Sequence, residues 1–178
     1  MKITAINGSP HTNGQASKLL DIVLAEAESR KHSYEKFNLG QLTISGCKGC
    51  FSCKKNGGIC VQNDDMKPIY DSINGSDILL LGTPVYMWQM TGQSKTFTDR
   101  LMPYFRNGEK SGKRAAFAVT YKGSAPTAVK EYFDFSARMF EHLDFPVVGI
   151  VSAGKTDQNP VAKRDDLKTD IAGLVGRF

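Results

Sequence analysis

The sequence predicts an α/β protein built on a parallel sheet that is doubly wound, with helices on both faces. Three observations lead there. Short apolar runs alternate with segments of helical periodicity, the order expected of successive strand–helix–strand crossovers. The most apolar run, DILLLGT at 77–83, is continuous rather than alternating, as suits a strand covered on both faces. The segments after several of these runs gather Gly, Ser, Thr and Asn, the composition of loops and turns.

Residues 2–6, KITAI, read as the first strand, and the turn-rich NGSPHTNGQ leads from it into a helix over 16–31. There Leu19, Leu20, Ile22, Val23, Leu24 and Ala27 recur at helical spacing. SYEKFNL (33–39) is the second strand. After a cysteine-bearing stretch, DDMKPIYDSING (64–75) reads as a helix ended by Gly75, with Asp64 and Asp65 in its first turn, where carboxylates complement free amides. The third strand is 77–83, followed by a helix over 93–105. RAAFAVTY (114–121) is the fourth strand, 125–143 a helix, FPVVGIVS (145–152) the fifth strand and 166–178 the last helix. Five such units joined by right-handed crossovers point to the flavodoxin-like strand order 2-1-3-4-5 in one domain over 1–178, with a ligand crevice at the carboxyl ends of strands 1 and 3.

Composition narrows the partners. A chain of 178 residues with 40% hydrophobic and 23% charged residues is expected to be ordered and globular, with one core. The longest apolar stretch is broken by Gly82, Thr83 and Pro84, well short of the ~20 residues of a membrane span. MKITAING has neither the apolar length nor the cleavage site of a signal peptide, so the expected location is cytoplasmic, where thiols stay reduced. The net charge of +5 is scattered, and the one basic cluster, RNGEKSGKR at 106–114, reads as a solvated loop. Neither nucleic acid nor membrane is an expected partner.

Three loops fall at the expected crevice. NGSPHTNGQAS (7–17) opens directly into a helix, and its small residues let backbone amides approach an anion; it is equally readable as a helix start without a ligand. It is not a Walker A loop, because Gly14 is followed by Gln15, and a phosphate held by hydroxyls and amides suits flavin mononucleotide (FMN). GTPVYMWQMTG (82–92) offers flat apolar walls for a planar ring, the alternative being that Trp88 and Met90 pack in the core or at an interface. TYKGSAPT (120–127) brings a further Gly and Ser loop with Tyr121 and Gly123.

All four cysteines, Cys47, Cys50, Cys53 and Cys60, lie in GCKGCFSCKKNGGIC. The CxxCxxCx6C spacing is closer to ferredoxin-type ligation of a [4Fe-4S] cluster than to a zinc ribbon. Lys48, Lys54 and Lys55 would offset the cluster's negative charge, and Gly49, Gly57 and Gly58 would give the backbone freedom. The competing reading is that Cys47, Cys50 and Cys53 share one face of a helical turn as buried bare thiols. Cluster, zinc and bare thiols all stay open at this point.

GSPHTNGQ, CKGCFSC, GGIC followed by NDDM, and GTPVYMWQMTGQSKTFTDR together resemble the flavodoxin-fold NAD(P)H-dependent FMN reductases, in particular their iron-sulfur flavoprotein branch. The resemblance is collinear over about residues 1–125; beyond that only the strand–helix order matches. It implies a homodimer or homotetramer that binds FMN and passes electrons from NAD(P)H or a redox protein to flavins, quinones or similar small-molecule acceptors. It assigns phosphate contacts to Ser9, His11, Asn13, Gln15 and Ser17, in the loop that also holds Gly14, and the ring walls to Pro84, Val85, Tyr86, Met87 and Trp88. Tyr121 and Gly123 complete the crevice, and Cys47, Cys50, Cys53 and Cys60 are the cluster ligands. His11, Gln15 and Ala16 depart from the family's usual Arg or Lys, Asn, and Thr or Ser. A histidine in place of a permanent cation would weaken FMN binding as pH rises, and His11 is equally readable as a solvated loop residue. Asp99 and Arg100 of TFTDR read as structural, in an ion pair or interface.

The flavin would carry the reaction, a hydride transfer to its N5 from a stacked nicotinamide, so no catalytic acid or base is assigned. Two other function classes fit the same fold: an electron carrier without nicotinamide activity, which the net charge of +5 disfavours because carriers usually present acidic surfaces, and a thiol or metal redox sensor.

Overall fold

Apolar strands without alternation require cover on both sides, and the computed structural model, which describes residues 1–105, 111–123 and 125–178, provides it. The elements run β1 (Lys2–Asn7), α1 (Gln15–Ser29), β2 (Ser33–Asn38), α2 (Ser52–Lys55), α3 (Met66–Asn74), β3 (Ile78–Tyr86), β4 (Gln89–Met90), α4 (Gly92–Asp99), β5 (Arg114–Thr120), α5 (Pro126–His142), β6 (Val147–Ala153) and α6 (Leu167–Val175). The parallel strands lie in the order β2-β1-β3-β5-β6, and β4 pairs antiparallel with the end of β3. With that short hairpin set aside, the order is the flavodoxin-like 2-1-3-4-5.

Side chains on alternate strand positions feed two cores. Ile3, Ala5, Ile78, Leu80, Ala116 and Ala118 pack with α1 and α6 on one face. Ile6, Leu79, Leu81, Phe117 and Val119 pack with α3, α4 and α5 on the other. Gly82 lets α1 approach β3, since a Cβ there would lie 3.1 Å from Leu20. No helix among the described residues is long and apolar enough to cross a membrane.

Three expectations need correction. The helix expected over 93–105 ends at Asp99, and Met102–Tyr104 forms a separate 3-10 turn; Pro103 has no N–H to donate and its ring clashes with the carbonyl four residues back. The third strand runs past 83 to Tyr86. Thr83 and Pro84 pair with Val119 and Thr120, and β1 no longer flanks them, so the missing N–H of Pro84 breaks no ladder on that side. Asp64 and Asp65 precede α3 rather than lying in its first turn: Asp64 accepts from the Met66 and Ser45 amides and Asp65 from the Thr43 amide, so the pair also pins the chain before the cysteine loop. Of the basic cluster, residues 106–110 lie outside the described residues.

Phe117 is fully buried, with its ring edge-on to Phe133 and Phe140. Phe117→Ala is expected to cost about 3–5 kcal/mol of stability, measured by urea denaturation.

Candidate functional site

The carboxyl ends of β1, β3 and β5 surround a cleft of about 910 Å³. Its first wall is the loop from β1 to α1. Ser9 is buried: its N–H donates to Asn7 Oδ1 at 3.1 Å and its Oγ accepts from the His11 N–H at 3.1 Å. This folds the loop so that Ser9, His11, Gly14, Gln15 and Ala16 face the cleft. The N-cap of α1 is Gly14, which offers no capping side chain, so the first-turn amides and the positive end of a 15-residue helix are left for an anion. Gln15 Oε1 accepts from the Val161 N–H at 2.8 Å, tying the helix start to the segment after β6.

The second wall is the β3–β4 hairpin. Met87 and Trp88 form its two-residue turn with φ of +46° and +68°, the left-handed pair of a type I′ turn that usually takes Asn or Gly. Here it carries two large side chains, 90% and 64% exposed, at the lip of the cleft. Such strain and exposure persist only where the surroundings hold the chain, and a buried polar network holds the foot of the hairpin at Thr83 and Thr91. Thr91 caps α4 by accepting from the Ser94 N–H at 3.1 Å and donates its own hydroxyl to the Gly8 carbonyl at 2.6 Å. Ser94 Oγ donates to Thr83 Oγ1 at 3.0 Å, and the Gly8 N–H donates to the Gly82 carbonyl at 2.7 Å. The first two walls are therefore hydrogen-bonded to each other.

Thr120, Tyr121, Lys122, Gly123, Ala125 and Val129 form the third wall, with Thr156 beside them. The Tyr121 ring lies over Gly154, where a Cβ would stand 2.6 Å from it, and the Tyr121 carbonyl accepts from the Thr156 N–H at 3.2 Å. Ser124 lies outside the described residues.

The cysteine loop stands apart from this cleft. Cys47, Cys50, Cys53 and Cys60 line one small cavity together with Arg100, Met102 and Pro103. All four are free; Cys53 is buried, Cys60 half-buried, and Cys47 and Cys50 exposed. Helical backbone covers only Ser52–Lys55, so the expected shared helical face of Cys47, Cys50 and Cys53 does not form. Gly49, Gly57 and Gly58 take left-handed φ, as does Phe51, and this backbone cannot continue a helix. Hydrogen bonds from Ser52 lower the Cys50 thiol's pKa, with Lys48 adding to the effect. Among the described residues no group of three or more His, Cys, Asp or Glu is arranged to hold a metal ion. The donors are of the right kind for a metal or cluster, yet they do not fit it as arranged.

Arg100 is buried behind this cavity. It pairs with Asp64 through Nη1 at 2.5 Å and Nη2 at 3.0 Å, not with its neighbour Asp99, which pairs with Lys95 on the surface. Burial opposes ionisation of Asp64, but hydrogen bonds from Arg100 and from the Ser45 and Met66 amides outweigh it and hold the carboxyl below its ordinary range.

Residues 1–121 match the family described as NADPH-dependent FMN reductase. An iron-sulfur flavoprotein of Archaeoglobus fulgidus is 38% identical over 135 residues, 75% of this chain and 61% of that protein. The iron-sulfur flavoprotein MJ0731 of Methanocaldococcus jannaschii is 32% identical over 140 residues, 76% of this chain and 70% of the relative. The chain belongs to the NADPH-dependent FMN reductase family, in its iron-sulfur flavoprotein branch. It spans only part of several relatives, for example 45% of an iron-sulfur flavoprotein of Clostridioides difficile to which it is 41% identical over 104 residues, 56% of this chain. An FMN-dependent NADH-azoreductase from Bacillus anthracis, solved with FMN, shares the fold with a TM-score of 0.74 at 17% identity, covering 99% of both chains.

In this FMN reductase family member, the cleft gathers Ser9, His11, Gly14, Gln15, Pro84, Val85, Tyr86, Met87, Trp88, Tyr121 and Gly123 from the sequence-predicted set. Asn13 and Ser17 are not among the lining residues. Asn13 is exposed, and Ser17 is buried with its hydroxyl accepting from Lys36 Nζ at 3.1 Å, because one further step along α1 rotates it away from the cleft. Ala16 takes the facing position. Sequence reasoning missed Val129 and Thr156, and within TYKGSAPT it named only Tyr121 and Gly123, not Thr120, Lys122 or Ala125. Val129 looks like any core residue of a helix, and only the path of the segment after β6 brings Thr156 to Tyr121.

Two expectations follow. A Cβ on Gly8 would lie 1.9 Å from Ser94 Oγ. Gly8→Ala should therefore cost about 1–3 kcal/mol in denaturant unfolding, and Ser94→Ala in the same chain should return part of that loss. For Asp64, a lowered folded pKa contributes stability above the ordinary carboxylate pKa and loses it as pH falls through the folded value. Asp64→Asn should thus cost about 3–5 kcal/mol at neutral pH, and the gap to wild type should shrink below about pH 4 when unfolding is followed across pH.

Proposed function

We propose that this chain is an FMN-dependent oxidoreductase that passes electrons from NADPH or NADH to a small-molecule acceptor. One observation carries the reading: a single cleft has an uncapped helix N-terminus on one wall and an apolar, partly aromatic hairpin on another. FMN has those two ends, a phosphate and a flat ring. Once bound, it supplies the hydride and electron chemistry. The chain's residues supply the rest. Ser9 and the first-turn amides of α1 hold the phosphate, and Lys122 adds a cation at the third wall. Pro84 to Trp88 present an apolar wall to one face of the ring, and the cleft leaves room on the other face for a nicotinamide and then for the acceptor.

The name of the matched relatives and the common cavity of the four thiols support a second element, an iron-sulfur cluster at the cysteine loop. Taking one up requires Cys47 and Cys50 to move inward from their exposed positions. Iron and acid-labile sulfide analysis after anaerobic reconstitution tests this element separately.

For the flavin reading, titration with FMN should quench flavin fluorescence at one site per chain, and the loaded protein should oxidise NADPH or NADH. Trp88→Ala should weaken FMN binding about two- to tenfold. No saturable binding overturns the reading, and binding without nicotinamide oxidation returns the protein to the electron-carrier class.

A further inference from the structure

The thiol cavity is built unevenly. Cys47 and Cys50 are exposed, whereas Cys53 sits buried in α2 and Cys60 is half-buried against Arg100. Arg100 is 1% exposed and forms part of the cavity wall. Its guanidinium is held from behind: Nη1 donates to Asp64 Oδ2 at 2.5 Å and to the Ser45 carbonyl at 2.7 Å, and Nη2 donates to Asp64 Oδ1 at 3.0 Å. The Tyr70 hydroxyl donates to the Arg100 carbonyl at 2.6 Å, fixing its backbone as well. Nη2 also lies 3.6 Å from Cys60 Sγ, and Nε is buried with no hydrogen-bond partner among the described residues. An unpaired buried N–H costs stability, so one retained beside a cavity of thiols marks a side chain with a second task besides its ion pair.

We propose that Arg100 is the positioning residue of the thiol cavity: anchored by Asp64, it holds the Cys60 sulfur and the C-terminal end of the cysteine loop in place. Cys53 and Cys60 are then the preformed half of a site for a thiophilic occupant, and Cys47 and Cys50 are the half that closes on it. This deepens the cysteine-loop element of the proposed function and does not involve FMN. The chemistry requires arginine. Its planar fork presents donors to the carboxylate, the Ser45 carbonyl and the sulfur at once, whereas a lysine ammonium is a single point that cannot span them.

Phenylarsine oxide, a trivalent arsenical that bridges two adjacent thiols, tests this on the reduced full chain. Bridged pairs are located by mass spectrometry after alkylation of the remaining cysteines, with far-UV circular dichroism and Tm recorded alongside. Wild type should give bridges that contain Cys60. Arg100→Lys, which keeps a charge partner for Asp64, should retain the fold yet lose about fivefold or more of the Cys60 bridges, with Cys47–Cys50 bridging unchanged. Should Arg100→Lys fail to fold, Arg100→Met combined with Asp64→Leu removes both charges together, a change buried pairs often tolerate, and is read the same way. Wild-type yields of Cys60 bridges in a folded variant, or no Cys60 bridges in wild type, overturn the proposal. The readout needs neither flavin nor iron, so its failure is distinct from that of either cofactor reading.

Discussion

The structure depends on one constraint: β1, β3 and β5 are covered on both faces, so their interior positions have to be apolar or small. Chemistry can then be displayed only where the strands end. In a parallel sheet those ends fall on one side, and the loops after β1, β3 and β5 meet there because β1 and β5 both flank β3. The cleft is thus a consequence of how the core is buried.

Convergence alone does not make a rigid site. The hairpin after β3 holds two non-glycine residues in left-handed backbone with their side chains largely in water, an arrangement that costs free energy. The network from Gly8 through Thr91 and Ser94 to Thr83 anchors the foot of that hairpin, and it is closed to water. Gly8 is required because Ser94 occupies the space of its Cβ. The same contact therefore sets the β1–α1 loop and the β3–β4 hairpin relative to each other. Damage to either should be felt by both.

The cysteine loop is organised on a different principle. Its backbone is irregular, and most of its side chains face solvent. Turns within it, such as the Gly58 N–H donating to the Cys53 carbonyl, order part of it. The rest of its order comes from outside: Asp64 and Arg100 grip Ser45 on one side and reach Cys60 on the other, in a buried ion pair joining residues 36 positions apart. A buried pair of this kind adds little net stability, but it specifies one arrangement of the chain around it. That is what a loop without a core of its own needs.

By itself the sequence determined the order of the elements, the sheet and the end of the sheet at which a site would form. Apolar periodicity and turn composition are local properties, and KITAI, DILLLGT and NGSPHTNGQ carry them openly. The residues facing the cleft were legible wherever a loop supplied consecutive neighbours, as at Pro84 to Trp88. Tertiary structure decided the rest. Whether Ala16 or Ser17 faces the cleft turns on the rotation of α1 against the sheet, and Thr156 enters through a contact with Tyr121 that no local pattern encodes. Arg100 and Asp99 are adjacent in the chain, yet one is buried with Asp64 and the other lies on the surface with Lys95, because burial follows the direction a side chain leaves its helix. The CxxCxxC spacing gave the number and kind of thiols. Their distribution between buried and exposed positions was set by Arg100, Pro103 and the left-handed turns around them, contacts that exist only once the chain has folded.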